Sequence, residues 1–235
     1  MRSKLLDLSK YDTDKIPNGY LQWYDPVFQP LVDQEITLLE LGVFRGGSLF
    51  LWRDYFPRST IVGVDLQRPS DWRDPERIHF LEGSQEDTTF LSKAAEQLAP
   101  RGFDVIIDDA SHIGRLTRIS FWHLLENHLK PGGLFVIEDW GTGYWDDWPD
   151  GRTCRKPAVW QSWCLRLFQK LKLVPDSGDA YNHSFGMVGL IKELVDEQGA
   201  PDLTRGKLCN ASGRKSKFES LRVFPSIVVV EKARQ

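Results

Sequence analysis

The sequence predicts an α/β fold: a mostly parallel seven-stranded sheet with helices on both faces and a C-terminal antiparallel hairpin. Three observations predict it. Short apolar runs recur, and each is followed by turn residues and then a helical period, the pattern of parallel strands joined by crossover helices. The helical stretch near 114–129 is closed by Lys130, Pro131, Gly132 and Gly133, a stop signal directly before another apolar run. Near the end of the chain, ESLRVF and SIVVVEK flank Pro225 closely enough to pair as a hairpin at a sheet edge.

The elements follow in order. ITLLEL (36–41), TIVGVD (60–65), IHFLEG (78–83), DVIID (104–108) and LFVIED (134–139) are the predicted parallel strands, with helices near 47–55, 87–98 and 114–129. A chain of 235 residues, 41% hydrophobic and 27% charged, suits one domain over 1–235 with ample core. Residues 1–35 form an N-terminal cap segment. After 139 the rhythm breaks: Trp140, Trp145, Trp148, Trp160 and Trp163, over half of the nine tryptophans, fall between 140 and 163. The region 140–218 therefore reads as a tryptophan-rich lid or substrate region, either a satellite core under a long loop or a ligand-facing wall. Within it a helix near 186–197 carries Met187, Leu190, Ile191 and Leu194 on one face.

Composition excludes several classes. Cys154, Cys164 and Cys209, an odd count without metal-ligand spacing, read as free thiols of a reducing compartment, so the cytoplasm is expected. The N-terminal MRSKLLDLSKYDTDK is too polar for a signal peptide, and no apolar run approaches the ~18 residues of a membrane span. A net charge of −3 leaves no footprint for nucleic acid, and the one basic patch, Arg205 to Lys217, reads as a solvated loop.

The first strand runs into LELGVFRGGSLFLW. Glu40, Gly42, Gly46, Gly47 and Ser48 stand at the strand-to-helix turn, where open α/β sheets bind cofactors. A dinucleotide fingerprint needs glycine where Phe44 stands, and a P-loop needs Gly-Lys-Ser/Thr where Gly47, Ser48 and Leu49 stand. An acid before the first glycine favours a ligand with a positive group. Asp65, ending the second strand, is placed to accept bonds from ribose hydroxyls. S-adenosylmethionine has both features and no phosphate. Ser84 and Gln85, after the third strand, are candidate contacts to its adenine ring, and Asp108 falls on the cofactor side of the same crevice.

The fourth strand ends in Asp108 and Asp109, with His112 three residues on, and the fifth delivers Glu138 and Asp139 beside them. Singly, such residues are usually helix caps or hydrogen-bonded surface groups. Two acidic pairs on successive strand ends repel, and a divalent cation among them relieves that repulsion; all-oxygen ligands favour Mg²⁺ or a similar hard ion.

ELGVFRGGS, VGVDLQ, DDASHIGR, LKPGGLFVIEDW and the N-terminal YDTDKIPNGY resemble the class I methyltransferases of antibiotic and macrolide biosynthesis, in particular the metal-dependent sugar O-methyltransferases. The resemblance runs from about residue 11 to 145 and returns in the final hairpin. It implies the Rossmann-like methyltransferase fold, adenosylmethionine as methyl donor, Mg²⁺ as activator and a homo-oligomer. It also implies Asp109, Glu138 and Asp139 as metal ligands and His112 as general base, with Arg45 and Gln67, inside the quoted motifs, on the cofactor side. Lys15 and Tyr20 are further candidates for cofactor or lid contacts. The expected activity is methyl transfer to a hydroxyl of a small molecule, a sugar or natural-product diol. Two rival readings are a catechol-type methyltransferase on the same metal platform and a module that binds adenosylmethionine without chemistry. A nicotinamide oxidoreductase is opposed by Phe44.

Overall fold

A computed structural model describes residues 1–70, 72, 73, 75–153, 167, 184–205 and 213–234. Its sheet contains β1 (Thr37–Leu41), β2 (Thr60–Asp65), β3 (Ile78–Glu82), β4 (Phe103–Asp108), β5 (Leu129–Glu138), β6 (Phe218–Val223) and β7 (Ile227–Lys232). Their spatial order is β3-β2-β1-β4-β5-β7-β6. The first five are parallel, and β7 runs antiparallel to both β5 and β6. The predicted seven strands, parallel core and terminal hairpin are all present. β5 begins five residues earlier than expected, because the Pro131–Gly133 stop leads straight into an extended strand that shifts register between Phe103 and Val105 of its partner.

The strands read as unbroken apolar runs because both sheet faces are covered. Leu38, Val105, Val136 and Val229 turn to one face, where α1 (Leu21–Phe28) and α2 (Gly47–Tyr55) bring Tyr24, Phe28, Trp52 and Tyr55. Leu39, Ile106, Phe135 and Val228 turn to the other, under α3 (Thr88–Leu98), α4 (Gly114–Asn127) and α6 (Gly186–Gln198). The expected face of α6 is buried through Met187, Leu190, Ile191 and Leu194. A short α5 (Pro149–Thr153) follows Trp148.

Of the five clustered tryptophans, Trp140, Trp145 and Trp148 are described; Trp160, Trp163 and all three cysteines lie outside the described residues. Within the basic patch, Arg214 pairs with Glu197 and Lys217 with Glu126. Among the described residues no helix is long and apolar enough to cross a membrane.

Parallel register brings the strand ends together. Leu41 pairs with Asp108, and Asp108 with Ile137, so the glycine turn, the DDASH stretch and the Glu138–Asp139 pair all leave the sheet at one edge.

Candidate active site

A cleft of about 1350 Å³ opens at that edge. Gly42, Arg45, Ser48, Asp65, Gln67, Asp109 and His112 line it, together with Lys15, Phe50 and Trp72. Gly42 is required by both conformation and space: φ is +84°, and a β-carbon there would lie 2.1 Å from the Asp109 carbonyl oxygen. Gly46 and Gly47 shape the turn from behind, closed in by the Trp72 ring and the Asp12 backbone. Asp65 braces the turn, its Oδ2 accepting from the Val43 and Phe44 amides at 2.7 and 2.8 Å. Arg45 is exposed at the cleft rim, paired with Asp12 at 3.4 Å.

Six predicted cofactor contacts fall outside the cleft lining: Gly46 and Gly47 behind the turn, and Glu40, Ser84, Gln85 and Asp108. Glu40, expected to face a ligand's positive group, is fully buried and accepts from Ser48 Oγ (2.7 Å) and Trp52 Nε1 (3.2 Å). Gln85 and Asp108 form a second internal network. Gln85 Nε2 donates to both Asp108 carboxylate oxygens, Ser120 Oγ donates to Asp108 Oδ2 at 2.7 Å, and Gln85 Oε1 accepts from the Ser111 amide. These bonds pin the end of β4 to α4 and to the loop after β3, which is why neither side chain projects into the cleft. Ser84 is half-buried in that loop and accepts weakly from the Glu86 amide.

Burial pushes the Asp108 carboxyl up to about 6, against the lowering effect of Ser120. A carboxyl raised in the folded state holds its proton after the unfolded chain has lost its own. Stability contributed by this group is therefore lost as pH rises from about 4 to 6 and is absent above. Asp108→Asn should accordingly be more stable than the parent above pH 6, by up to about 3 kcal/mol, with the difference vanishing towards pH 4. Urea unfolding of both proteins across that range checks this, and a pH-independent difference would refute it.

Lys15 is the residue that organises the acid cluster. Only 1% of its side chain is exposed, and its Nζ lies 2.5 Å from Asp109, 3.0 Å from Glu138 and 3.3 Å from Glu40. Burial opposes the charge, but the three carboxylates outweigh it and hold the ammonium well above the ordinary lysine range. Burial, with Asp109 adding, pushes Glu138 well up, and burial also raises Glu40. The positive group expected beside Glu40 is thus supplied by the chain itself.

Two phenols one helical turn apart hold the next pair of acids. Tyr24 donates to Glu138 Oε1 and Tyr20 to Asp139 Oδ1, so α1 and the residue before it grip successive residues at the end of β5. Among the described residues, Glu138 Oε2 is left buried without a hydrogen-bond partner.

The carboxylates of Asp109 and Asp139 face His112. Its Nε2 lies 3.8 Å from Asp109 Oδ1 and 3.9 Å from Asp139 Oδ2, and one potential ligand atom from each of the three residues falls within a 4.8 Å cluster. All three are 11–19% exposed at the side chain; Asp109 and His112 line the cleft with Asp139 beside them, while Glu40 and Glu138 are closed off. The edge of Trp148 meets the imidazole at 5.2 Å between ring centroids. The structure therefore brings together Asp109, His112 and Asp139, with Glu138 directly behind them. Sequence reasoning missed the paired grip of Tyr20 and Tyr24 and the role of Lys15 as counter-ion. The only signal was the YDTDKIPNGY motif that carries two of them.

Over 227 residues the chain is 38% identical to an 8-demethyl-8-(2-methoxy-alpha-L-rhamnosyl)-tetracenomycin-C 3'-O-methyltransferase of Streptomyces olivaceus, an alignment covering 92% of this chain and 50% of the relative. Over 148 residues it is 41% identical to mycinamicin VI 2''-O-methyltransferase of Micromonospora griseorubida, covering 58% of this chain and 36% of the relative. The chain is a homologue of antibiotic-sugar O-methyltransferases. It spans half or less of the length of these two methyltransferases. A solved MycE methyltransferase in complex with Mg and SAH superposes with a TM-score of 0.67 at 32% identity, over 91% of this chain and 48% of that one. The likeness thus extends to the fold over nearly the whole of this chain. No family model matches the chain.

Proposed function

We propose that this chain transfers a methyl group from S-adenosylmethionine to a sugar hydroxyl of a natural-product acceptor, assisted by Mg²⁺ or a similar divalent cation. The observation that carries the reading is the convergence of Asp139 with Asp109 and His112, the latter two lining the glycine-turn cleft. The relatives support it, since each is named as an O-methyltransferase of a glycosylated compound, and the MycE structure holds Mg and SAH.

Gly42, Arg45, Ser48, Asp65 and Gln67 are the cofactor-side residues, with Asp65 as acceptor for ribose hydroxyls. A hard divalent cation fits the residues present. Glu138 Oε2 is a buried oxygen without a partner among the described residues, and the charge of Asp109, Glu138 and Asp139 exceeds what Lys15 neutralises. Asp109, Glu138 and Asp139 would hold the ion, which when bound supplies acidification and orientation of the acceptor hydroxyl. His112 takes the hydroxyl proton on its imidazole. The acceptor oxygen forms its bond to the methyl carbon as the carbon–sulfur bond breaks, and the sulfur leaves as a neutral thioether. Holding oxygen, carbon and sulfur in line is the largest contribution expected of the scaffold.

The test is incubation with adenosylmethionine, Mg²⁺ and a panel of glycosides, catechols and polyols, with chelator controls. Methylation of a glycoside that chelator abolishes is the expected result; methylation of catechols alone, or cofactor binding without turnover, overturns the sugar reading. His112→Ala should lower turnover by about 10²- to 10⁴-fold with cofactor affinity retained. An unchanged rate would exclude the imidazole as base.

A further inference from the structure

We infer that Asp150 is a positioning residue, which together with Trp148 holds the His112 imidazole in its working orientation; this rests on the role proposed for His112 above.

His112 needs such support. Its backbone lies in the left-handed region at φ +51°, which a residue with a β-carbon keeps only when its surroundings impose it. Its ring does not obtain that support from the neighbouring acids, because 3.8 and 3.9 Å are beyond hydrogen-bond distance. Two other contacts constrain it, and both come from the short segment after Tyr144.

The first acts on the backbone. Asp150 Oδ2 accepts from the Gly114 amide at 2.8 Å and from the Met187 amide at 2.8 Å. One carboxylate oxygen thus caps the N-termini of α4 and α6, where orphan amides and the positive ends of both helix dipoles favour an anion. Gly114 is two residues beyond His112, so the bond fixes where the His112 loop enters α4. The junction has no slack. A β-carbon on Gly114 would lie 2.0 Å from the Gly186 carbonyl carbon, and one on Gly186 would lie 2.4 Å from Asp150 Cγ. The second contact acts on the ring, where Trp148 meets the imidazole edge-on at 74° between ring planes. Since Trp148 and Asp150 are separated by one residue, the same turn fixes the loop and walls the ring. A segment beside the acceptor's expected approach is thereby coupled to the proton acceptor.

The experiment compares Asp150→Ala, Asp150→Asn and His112→Ala, together with the Asp150→Ala/His112→Ala double variant. Asparagine keeps an oxygen that can accept from both amides; alanine removes it. Asp150→Ala should lower kcat about 10²-fold while the KM for adenosylmethionine stays within about twofold, and Asp150→Asn should restore most of the rate. In the His112→Ala background the same substitution should change kcat little, because its effect runs through the imidazole. A readout free of turnover is the NMR signal of the His112 ring protons. The Trp148 ring current should displace it in the parent and in Asp150→Asn, and the displacement should collapse in Asp150→Ala. The inference is overturned if Asp150→Ala leaves kcat and the His112 signal unchanged, or if its effect adds in full to that of His112→Ala. If His112→Ala itself costs no activity while the ring signal still responds to Asp150, the proposed base is wrong and the clamp stands.

Discussion

Replacing Lys15 by methionine should destabilise the fold by about 3–5 kcal/mol at neutral pH, the range expected when one partner of a buried ion pair is removed. The ammonium is the only cation among Glu40, Asp109 and Glu138 in the described structure, and two of those acids are fully closed off from water. Methionine fills the space of the lysine stem but leaves three carboxylates to repel one another. The sign of the pH dependence follows. Burial already raises Glu40 and Glu138, so in the folded variant they take up protons before the same groups in the unfolded chain do. Stability of the variant should therefore recover as the solution is acidified, and more steeply than in the parent, where the Lys15 charge lowers the same two carboxyls against the effect of burial. Chemical unfolding of both proteins at about pH 7.5 and pH 5.5 measures the effect. Equal stability at the higher pH would mean that Lys15 is not the counter-ion.

The second large effect is expected at Asp109, which serves both halves of the site. One oxygen holds Lys15 at 2.5 Å and the other faces His112. Asp109→Asn keeps the shape and removes the charge, so it should weaken divalent-cation binding and lower methyl transfer by several kcal/mol in the barrier, about 10³-fold. Adenosylmethionine affinity should hold, because the glycine turn and Asp65 are untouched. Calorimetric titration of cation and cofactor separately, beside turnover, separates these outcomes. A variant that methylates normally in chelator would remove the metal from the proposal.

The sheet was legible because parallel strands buried on both faces are written as unbroken apolar runs, and because Gly and Pro punctuate the helices between them. The convergence of Asp109, His112 and Asp139 was legible for a related reason. His112 follows Asp109 by three residues, and parallel register alone puts the end of β5 beside the end of β4. Glu40 shows the limit of such reading. An acid before a glycine turn does face a positive group here, but that group is a lysine 25 positions away in sequence, docked from the N-terminal segment. Gln85 and Asp108 were read as ligand contacts because strand ends line the crevice. Their side chains turn inward to each other and to Ser120, a choice of rotamer and partner that no local pattern records.

The sequence by itself determined the α/β architecture, the edge of the sheet at which chemistry is expected and the carboxylates and imidazole delivered there, all consequences of period and register. Only the tertiary structure decided which of those charges are spent inside the protein and which remain open. Lys15 reaches Asp109 across 94 residues, Tyr20 reaches Asp139 across 119 and Asp150 reaches Gly114 across 36. Whether a buried carboxylate is neutralised depends on through-space separations of a few ångströms between such distant segments, and the electrostatic energy at stake falls off too steeply with distance and exposure for sequence spacing to stand in for it.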